Sequence, residues 1–142
     1  MSDIVVDSCI VVKYVLAEED SDQAERLFRS VRGTGDRLIV LDVAVAEGAN
    51  AVWKQHHRGL ITSSDASRFF EDLLAAPVDI RSAHRLLQPA FEIAIKYDRT
   101  IYDALFVALA HELQLPGVTA DEPLWQAVHA DFPNIVLLRD WR

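Results

Sequence analysis

The sequence contains a single cysteine, Cys9, and no long uncharged segment. One thiol cannot form a disulfide within the chain, and without a CxxC pair a cysteine zinc cluster is excluded. Runs free of Asp, Glu, Lys and Arg, such as residues 104–111, reach about eight residues, whereas a membrane helix needs roughly twenty. Asp3, Asp7 and Lys13 interrupt the apolar residues of the N-terminus, which therefore does not predict a signal peptide. These absences predict a cytoplasmic protein without a membrane partner.

Basic residues are also scarce. The chain has 14 Lys and Arg residues against 22 Asp and Glu residues, and its formal net charge is -8. This balance argues against a broad basic surface that grips nucleic acid through many phosphates. The 142 residues are 51% hydrophobic and 25% charged, which is typical of a globular chain large enough to enclose a core. We see no linker, repeat or low-complexity tract, and we expect residues 1–142 to form a single domain.

Short apolar runs alternate along the chain with stretches of helical periodicity. The apolar runs predict strands at residues 4–6, 38–41, 78–80, 118–120 and 135–138. The helical periodicity, with its capping residues, predicts helices at residues 8–17, 20–32, 42–57, 62–75, 84–96, 100–113 and 123–130. Strands that alternate with helices predict a mostly parallel sheet covered on both faces, which is a three-layer α/β/α sandwich.

Four acidic residues stand where such a sandwich places its active site, beyond the carboxyl ends of the strands. Asp7 follows the first strand and Asp121 follows the fourth, while Asp103 lies in the first turn of a helix. Glu47 lies early in the third helix among small residues. Carboxylates crowded onto one rim repel each other unless they are protonated or bound to metal, and oxygen ligands suit Mg²⁺ or Mn²⁺. The pattern therefore indicates metal-assisted phosphate chemistry.

Each acid also has a purely structural interpretation. Asp7 and Asp121 have the positions of helix N-caps, and Asp103 the position of the acid in a capping box. Glu47 has the spacing of an ion pair with Lys54 on one helix surface. Taken one at a time the structural interpretations are the simpler ones; the convergence of all four acids favours a functional site.

At these acids the chain resembles the PIN-domain ribonucleases, and within them the VapC-type toxins of toxin–antitoxin pairs. The matching segments, in order, are residues 4–8, Glu47, residues 100–110 and residues 118–121. Their order and spacing extend the resemblance over essentially the whole chain. The Tyr-Asp-Ala and Thr-Ala-Asp segments are its most specific parts, and the chain departs from the family in lacking a proline at 41–46.

The resemblance implies a metal-dependent endoribonuclease. The residues that match the family's catalytic and metal-binding acids are Asp7, Glu47, Asp103 and Asp121, with Ser8 and Thr119 at its accessory hydroxyl positions. The implied cofactor is Mg²⁺ or Mn²⁺. If these acids form a metal site, the rest of the chain carries a formal charge of -4, so the net charge no longer argues against cutting a particular RNA.

The resemblance also implies three partners: an RNA substrate, a cognate antitoxin protein and a second copy of the chain in a homodimer. Lys13 and Arg99 lie near the predicted site and are candidates to bind RNA, although solvated surface charge is an equal interpretation. An apolar groove for the antitoxin would draw on residues of the first two helices, namely Val11, Tyr14, Val15, Leu27 and Phe28, unless these face the core.

Other interpretations place different demands on the sequence. A haloacid-dehalogenase-type phosphatase needs a second aspartate at position 9, which is cysteine here. A receiver-like signalling domain needs a lysine after a late strand, but the last lysine, Lys96, falls in a predicted helix. The main alternative is a catalytically inactive PIN-like module that binds protein or RNA. It gives no reason for a chain to keep four mutually repelling acids.

Overall fold

The computed structural model describes residues 2–141. Its strands are β1 (Ile4–Val6), β2 (Leu38–Leu41), β3 (Val78–Arg81), β4 (Gly117–Thr119) and β5 (Ile135–Leu137). Its helices are α1 (Ser8–Val15), α2 (Ser21–Thr34), α3 (Asp42–His57), α4 (Ser63–Leu74), α5 (Leu87–Tyr97), α6 (Ile101–Leu113) and α7 (Glu122–Val128). The order of elements along the chain is the predicted one.

The five strands form one parallel sheet in the order β3-β2-β1-β4-β5. From β1 the chain moves outward in one direction to β2 and β3, and then crosses to β4 and β5 on the other side. The direction of winding therefore reverses between β1 and β4, which is the position where sheets of this kind bind ligands. Asp7 and Asp121 directly follow the ends of these two strands.

Alternating residues of the central strands supply two separate cores. Val5 and Ile39 face a cluster built mainly on α6, in which every residue from 104 to 110 is buried. Ile4 and Val6 face the opposite cluster, which includes residues of α1, α2, α3 and α4. Helices thus cover both faces of the sheet, and the predicted α/β/α sandwich is confirmed.

The structure differs from the prediction around residue 84. The predicted helix at 84–96 is divided into a 3₁₀ turn at His84–Leu86 and helix α5, which begins at Leu87. Pro89 explains the division because it has no backbone N–H, and an α-helix begun at residue 84 would require one at that position. In α5 as it stands, Pro89 falls in the first turn, where the N–H groups have no partner within the helix.

The side chains predicted to line an antitoxin groove mostly face the core. Val11, Leu27 and Phe28 are buried in the second cluster, and the ring of Tyr14 stacks on Phe28 with centroids 3.9 Å apart. Their helical spacing marks the inward faces of α1 and α2, and an open groove cannot be built from them. Among residues 2–141, no helix has the length and apolar character needed to cross a membrane.

Candidate active site

Asp7 lies at the junction of β1, α1 and β4. It is the N-cap of α1, and its Oδ1 accepts a hydrogen bond of 2.8 Å from the backbone N–H of Ser8. Its Oδ2 accepts a second bond, also 2.8 Å, from the hydroxyl of Thr119 on β4. Its own backbone N–H donates to the carbonyl of Val118 at 3.0 Å. Asp7 is 9% exposed, so its carboxylate is nearly enclosed and is held by the first residue of α1 and by β4.

Thr119 connects Asp7 to the second strand-end acid. The Thr119 hydroxyl oxygen accepts a 3.1 Å hydrogen bond from the backbone N–H of Asp121 while it donates to Asp7. Asp121 is the N-cap of α7, where its Oδ1 accepts from the backbone N–H of Leu124 at 3.0 Å. Asp121 Oδ2 takes no part in that bond. The capping interpretation and the site interpretation of this residue are therefore compatible.

Asp103 enters the site from the first turn of α6. Thr100 caps this helix by accepting from the backbone N–H of Asp103 at 3.1 Å. The Asp103 carboxylate instead accepts a 3.2 Å hydrogen bond from Arg99, one turn earlier in sequence. The pKa of Asp103 is raised by burial and by the charge of Asp121, and Arg99 opposes this rise. Arg99, predicted from sequence to bind RNA, thus holds a site carboxylate.

Glu47 reaches the site from α3. Its neighbour Gly48 leaves room for the adjacent helix, because a Cβ there would lie 3.0 Å from Leu73 Cδ1 of α4. Burial raises the pKa of Glu47, the charge of Asp103 raises it further, and Ser8 partly offsets the change. The small residues around Glu47 in the sequence are thus consistent with close helix packing beside a half-buried acid.

The four acids act on one another electrostatically. Burial, with the charges of Asp103 and Glu47, raises the pKa of Asp7 to about 7, although its hydrogen bonds from Thr119 and Ser8 oppose the rise. Asp121 in turn raises the pKa of Asp103. A carboxylate with such a pKa is costly to keep ionised in the folded chain unless positive charge lies nearby. The structure therefore brings together all four acids that the sequence singled out.

The donor chemistry of this cluster suits a hard divalent cation, since every candidate ligand is a carboxylate oxygen. The acids are near enough to raise one another's pKa. Over residues 2–141, however, no group of three Asp, Glu, His or Cys side chains is close enough to enclose a metal ion. In its chemistry the donor set therefore fits Mg²⁺ or Mn²⁺.

Cys9 is a site residue for which the sequence offered no role. Its thiol lies 3.7 Å from Asp7 Oδ2 and 3.7 Å from the Thr119 hydroxyl, and its sulfur accepts from the backbone N–H of Ala120 at 3.3 Å. Burial and the charge of Asp7 raise the pKa of Cys9 to about 12, so it remains a neutral thiol. The sequence does show that Cys9 directly follows Ser8. It does not show that the Cys9 thiol contacts Thr119 of β4.

Comparison with known proteins agrees with this geometry. The PIN domain family model matches residues 4–128, and ribonuclease VapC3 of Pyrobaculum aerophilum is 35% identical over 135 residues, covering 94% of this chain and 97% of the relative. The chain therefore belongs to the PIN domain family. The relative matched over nearly its full length is named as a VapC ribonuclease.

Solved structures share the fold at lower sequence identity. A protein from Pyrobaculum aerophilum superposes with a TM-score of 0.73 and 20% identity, covering 97% of this chain and 85% of its own. VapC20 of Mycobacterium tuberculosis, described as a sarcin-ricin loop cleaving toxin, gives a TM-score of 0.66 and 16% identity over 88% of this chain and 95% of its own. A toxin–antitoxin complex from Klebsiella pneumoniae gives 0.65 and 14%, with coverage of 95% and 97%. At these identities the likeness concerns the fold.

Proposed function

We propose that this chain is a metal-dependent endoribonuclease that hydrolyses RNA phosphodiester bonds as the toxin of a toxin–antitoxin pair. The observation that carries the proposal is the buried Asp7 carboxylate, fixed by Ser8 and Thr119 between β1 and β4 and surrounded by acids that raise its pKa. Membership of the PIN domain family and the likeness to a VapC ribonuclease support it. We further propose that residues 1–142 form one domain and that it acts in the cytoplasm.

Asp7, Asp103 and Asp121 would hold one or two Mg²⁺ or Mn²⁺ ions. The bound metal would supply Lewis-acid polarisation of the scissile phosphate and of the attacking water. Glu47 would help to hold the metal or orient the attacking water, and its raised pKa suits it to accept a proton. Thr119 fixes the Asp7 carboxylate from β4, and Ser8 stabilises the ionised form of Glu47. Arg99 holds the carboxylate of Asp103.

The test is the substitution Asp7→Asn, which keeps the size of the side chain and removes its charge. We expect it to abolish cleavage without unfolding the protein. Asp22→Asn is the matched control, because Asp22 is an exposed acid in the first turn of α2. The readout is sequencing of RNA ends after expression of each variant, together with cleavage by purified protein in Mg²⁺ and in excess EDTA. Full activity of Asp7→Asn, or undiminished cleavage in EDTA, contradicts the proposal.

The alternative is a PIN-like module that binds protein or RNA without catalysis. The mutual repulsion of Asp7, Glu47 and Asp103 disfavours it, because a binding module gains nothing from buried acids with raised pKa values. A titration with Mn²⁺ separates the two functions. The enzyme predicts saturable thermal stabilisation that Asp7→Asn removes, whereas the inactive module predicts none.

A second copy of the chain is a proposed partner, as is a cognate antitoxin. Support for the homodimer comes from α5, where Leu87, Phe91 and Ile95 form an exposed apolar stripe one turn apart. Glu92 and Lys96 flank the stripe with opposite charges. In a two-fold dimer the same patch meets itself, so antiparallel α5 helices would place each Glu92 beside the partner's Lys96. This pairing makes the stripe self-complementary.

A further inference from the structure

A groove of about 680 Å³ opens beside the acids, between α1 and α3. One continuous face of α3 forms a wall of this groove. Its residues recur at helical spacing and are Val43, Ala46, Glu47, Asn50, Ala51 and Lys54. Helix α1 contributes the opposite wall, which begins at Ser8 beside the site and ends at Lys13. The groove therefore leads directly away from the acidic cluster.

The charge of this groove changes along its length. The end at Ser8 and Glu47 belongs to the acidic site, whereas the other end carries two lysines, Lys13 and Lys54, and one acid, Glu18. Between the two ends, the α3 wall carries the uncharged Asn50 and Ala51. A ligand that lies along the groove thus meets the site at one end and positive charge at the other.

The two lysines at the basic end have different surroundings. The Lys13 ammonium donates a 2.7 Å hydrogen bond to the carbonyl of Glu19 and lies 3.8 Å from the Glu18 carboxylate, so its charge is already compensated. Lys54 is exposed, and within residues 2–141 it makes neither a side-chain hydrogen bond nor an ion pair. The ion pair with Glu47 that the sequence spacing suggested is not formed. Lys54 is the lysine of this groove with an uncompensated charge.

We propose that this groove holds the RNA strand adjacent to the scissile phosphate and that Lys54 binds a backbone phosphate of that strand; the inference rests on the proposed nuclease function. Glu47 and Lys54 are separated by about 10 Å along α3 at about 1.5 Å per residue. A strand whose stacked bases rise by about 3.4 Å per nucleotide along the helix axis covers this distance in about three nucleotides. Tyr102 is 53% exposed where it lines the groove, and its ring offers a surface for base stacking.

RNA fits this groove better than an apolar peptide segment does. Val12, Val43, Ala46 and Ala51 make much of the groove wall apolar, but a peptide held only by hydrophobic contacts would leave the free charge of Lys54 unpaired. A polyanionic strand satisfies both ends at once, because its scissile phosphate belongs at the metal-binding acids and a later phosphate at Lys54.

The test compares Lys54→Ala with Arg32→Ala, which removes an exposed cation from the last turn of α2, outside the groove. Both changes are made in the Asp7→Asn background so that RNA is bound without being cut. The probe is a fluorescein-labelled random 12-nucleotide RNA, and its anisotropy is measured across a salt series in Mg²⁺. We expect Lys54→Ala to weaken binding about 5- to 10-fold and to reduce the salt slope by about 0.7, the value for one phosphate contact on a single strand. Arg32→Ala should change neither quantity.

A kinetic comparison in the otherwise unchanged chain provides a second readout. Lys54→Ala should raise KM for RNA by a similar factor while kcat stays within about twofold, because Lys54 lies outside the reacting centre. Equal behaviour of Lys54→Ala and Arg32→Ala, in a chain that does cleave RNA, overturns the groove assignment and leaves the nuclease function standing. Absence of RNA cleavage by the unsubstituted chain overturns the proposed function itself. A third outcome is that Lys54→Ala binds RNA as before but binds the antitoxin from the neighbouring gene more weakly. That outcome assigns the groove to the antitoxin and also overturns the proposal.

Discussion

The hydroxyl of Thr119 donates a 2.8 Å hydrogen bond to Asp7 Oδ2 across 112 positions of sequence. This bond joins the ends of β1 and β4, the two strands between which the winding of the sheet reverses. Thr119 is completely buried, and its oxygen also accepts from the backbone N–H of Asp121. One hydroxyl therefore orients two of the four acids proposed to bind metal.

Thr119→Val should remove this hydrogen bond at nearly constant volume. The bond lowers the pKa of Asp7, so its loss should raise that pKa further above about 7 and leave less of the ionised carboxylate at neutral pH. We expect cleavage at pH 7 to fall about tenfold or more and the acidic limb of the pH–rate profile to move to higher pH. Thr119→Ser, which keeps the hydroxyl, should retain the original profile. An unshifted profile for Thr119→Val would show that the bond has no role in tuning Asp7.

The stability of the metal-free protein should decrease as pH rises from about 4 to about 7. The pKa of Asp7 is raised in the folded state from 3.8 to about 7, so between these values the folded chain binds more protons than the unfolded chain. The free energy of unfolding must then fall with pH, by up to about 1.4 kcal/mol per unit for one proton. Glu47 and Asp103, whose pKa values are also raised, contribute in the same direction.

This dependence is measured by urea denaturation in EDTA at pH 5 and pH 7.5. At pH 7.5, the free energy of unfolding of Asp7→Asn should exceed that of the unsubstituted chain by about 2 kcal/mol or more. The free energy of unfolding of Asp7→Asn should also change much less between pH 5 and pH 7.5 than that of the unsubstituted chain. Asp22→Asn, at an exposed position of α2, should behave like the unsubstituted chain. Added Mg²⁺ should stabilise the unsubstituted chain at pH 7.5 and not Asp7→Asn. Identical curves for Asp7→Asn and the unsubstituted chain would rule out Asp7 as the titrating group.

β1, β2 and β5 could be predicted from sequence because each is a short apolar run bounded by a polar residue or a turn, whereas β3 carries Asp79 and Arg81 and gives a weaker signal. The structural and functional interpretations of the acids proved to be compatible in geometry. Asp7 and Asp121 do cap α1 and α7, because a carboxylate has two oxygens and a cap uses only one of them. From the sequence alone, capping and a role in the site are competing interpretations of these acids. Their catalytic assignment stays a prediction.

What the sequence could not provide is the direction in which side chains face between helices. The periodicity that marked Val11 and Leu27 as candidates for a groove is the same periodicity that buries them. Conversely, Lys54 and Asn50 line the groove only because α1 packs beside α3, a contact between elements separated by α2 and β2. Long-range packing also places Cys9 in the site, where its sulfur accepts a hydrogen bond from the backbone N–H of Ala120, directly after β4.

Arg99 has two possible roles that kinetics can separate. The structure pairs it with Asp103 at 3.2 Å, which lowers the pKa of that carboxyl, whereas proximity to the site suggests contact with RNA. We expect Arg99→Gln to lower kcat about tenfold at pH 7, to shift the acidic limb of the pH–rate profile upward and to leave KM nearly unchanged. Arg99→Lys should restore part of kcat because it restores the charge. A change confined to KM, with the pH profile intact, would instead assign Arg99 to RNA binding.

The apolar stripe of α5 predicts how the chain associates. Phe91 is 61% exposed and Ile95 is 70% exposed, which is unusual for large apolar side chains one helical turn apart. Phe91→Glu would bury a charge against its own symmetry mate in a two-fold dimer, so the free energy of association should fall by several kcal/mol. Light scattering after size exclusion at micromolar concentration should then give the monomer mass for this variant and the dimer mass for the unsubstituted chain. Leu74→Glu, at a 63% exposed position on α4, introduces the same charge elsewhere and should leave the dimer intact. If both variants, or neither, dissociate the dimer, the α5 stripe is not its interface.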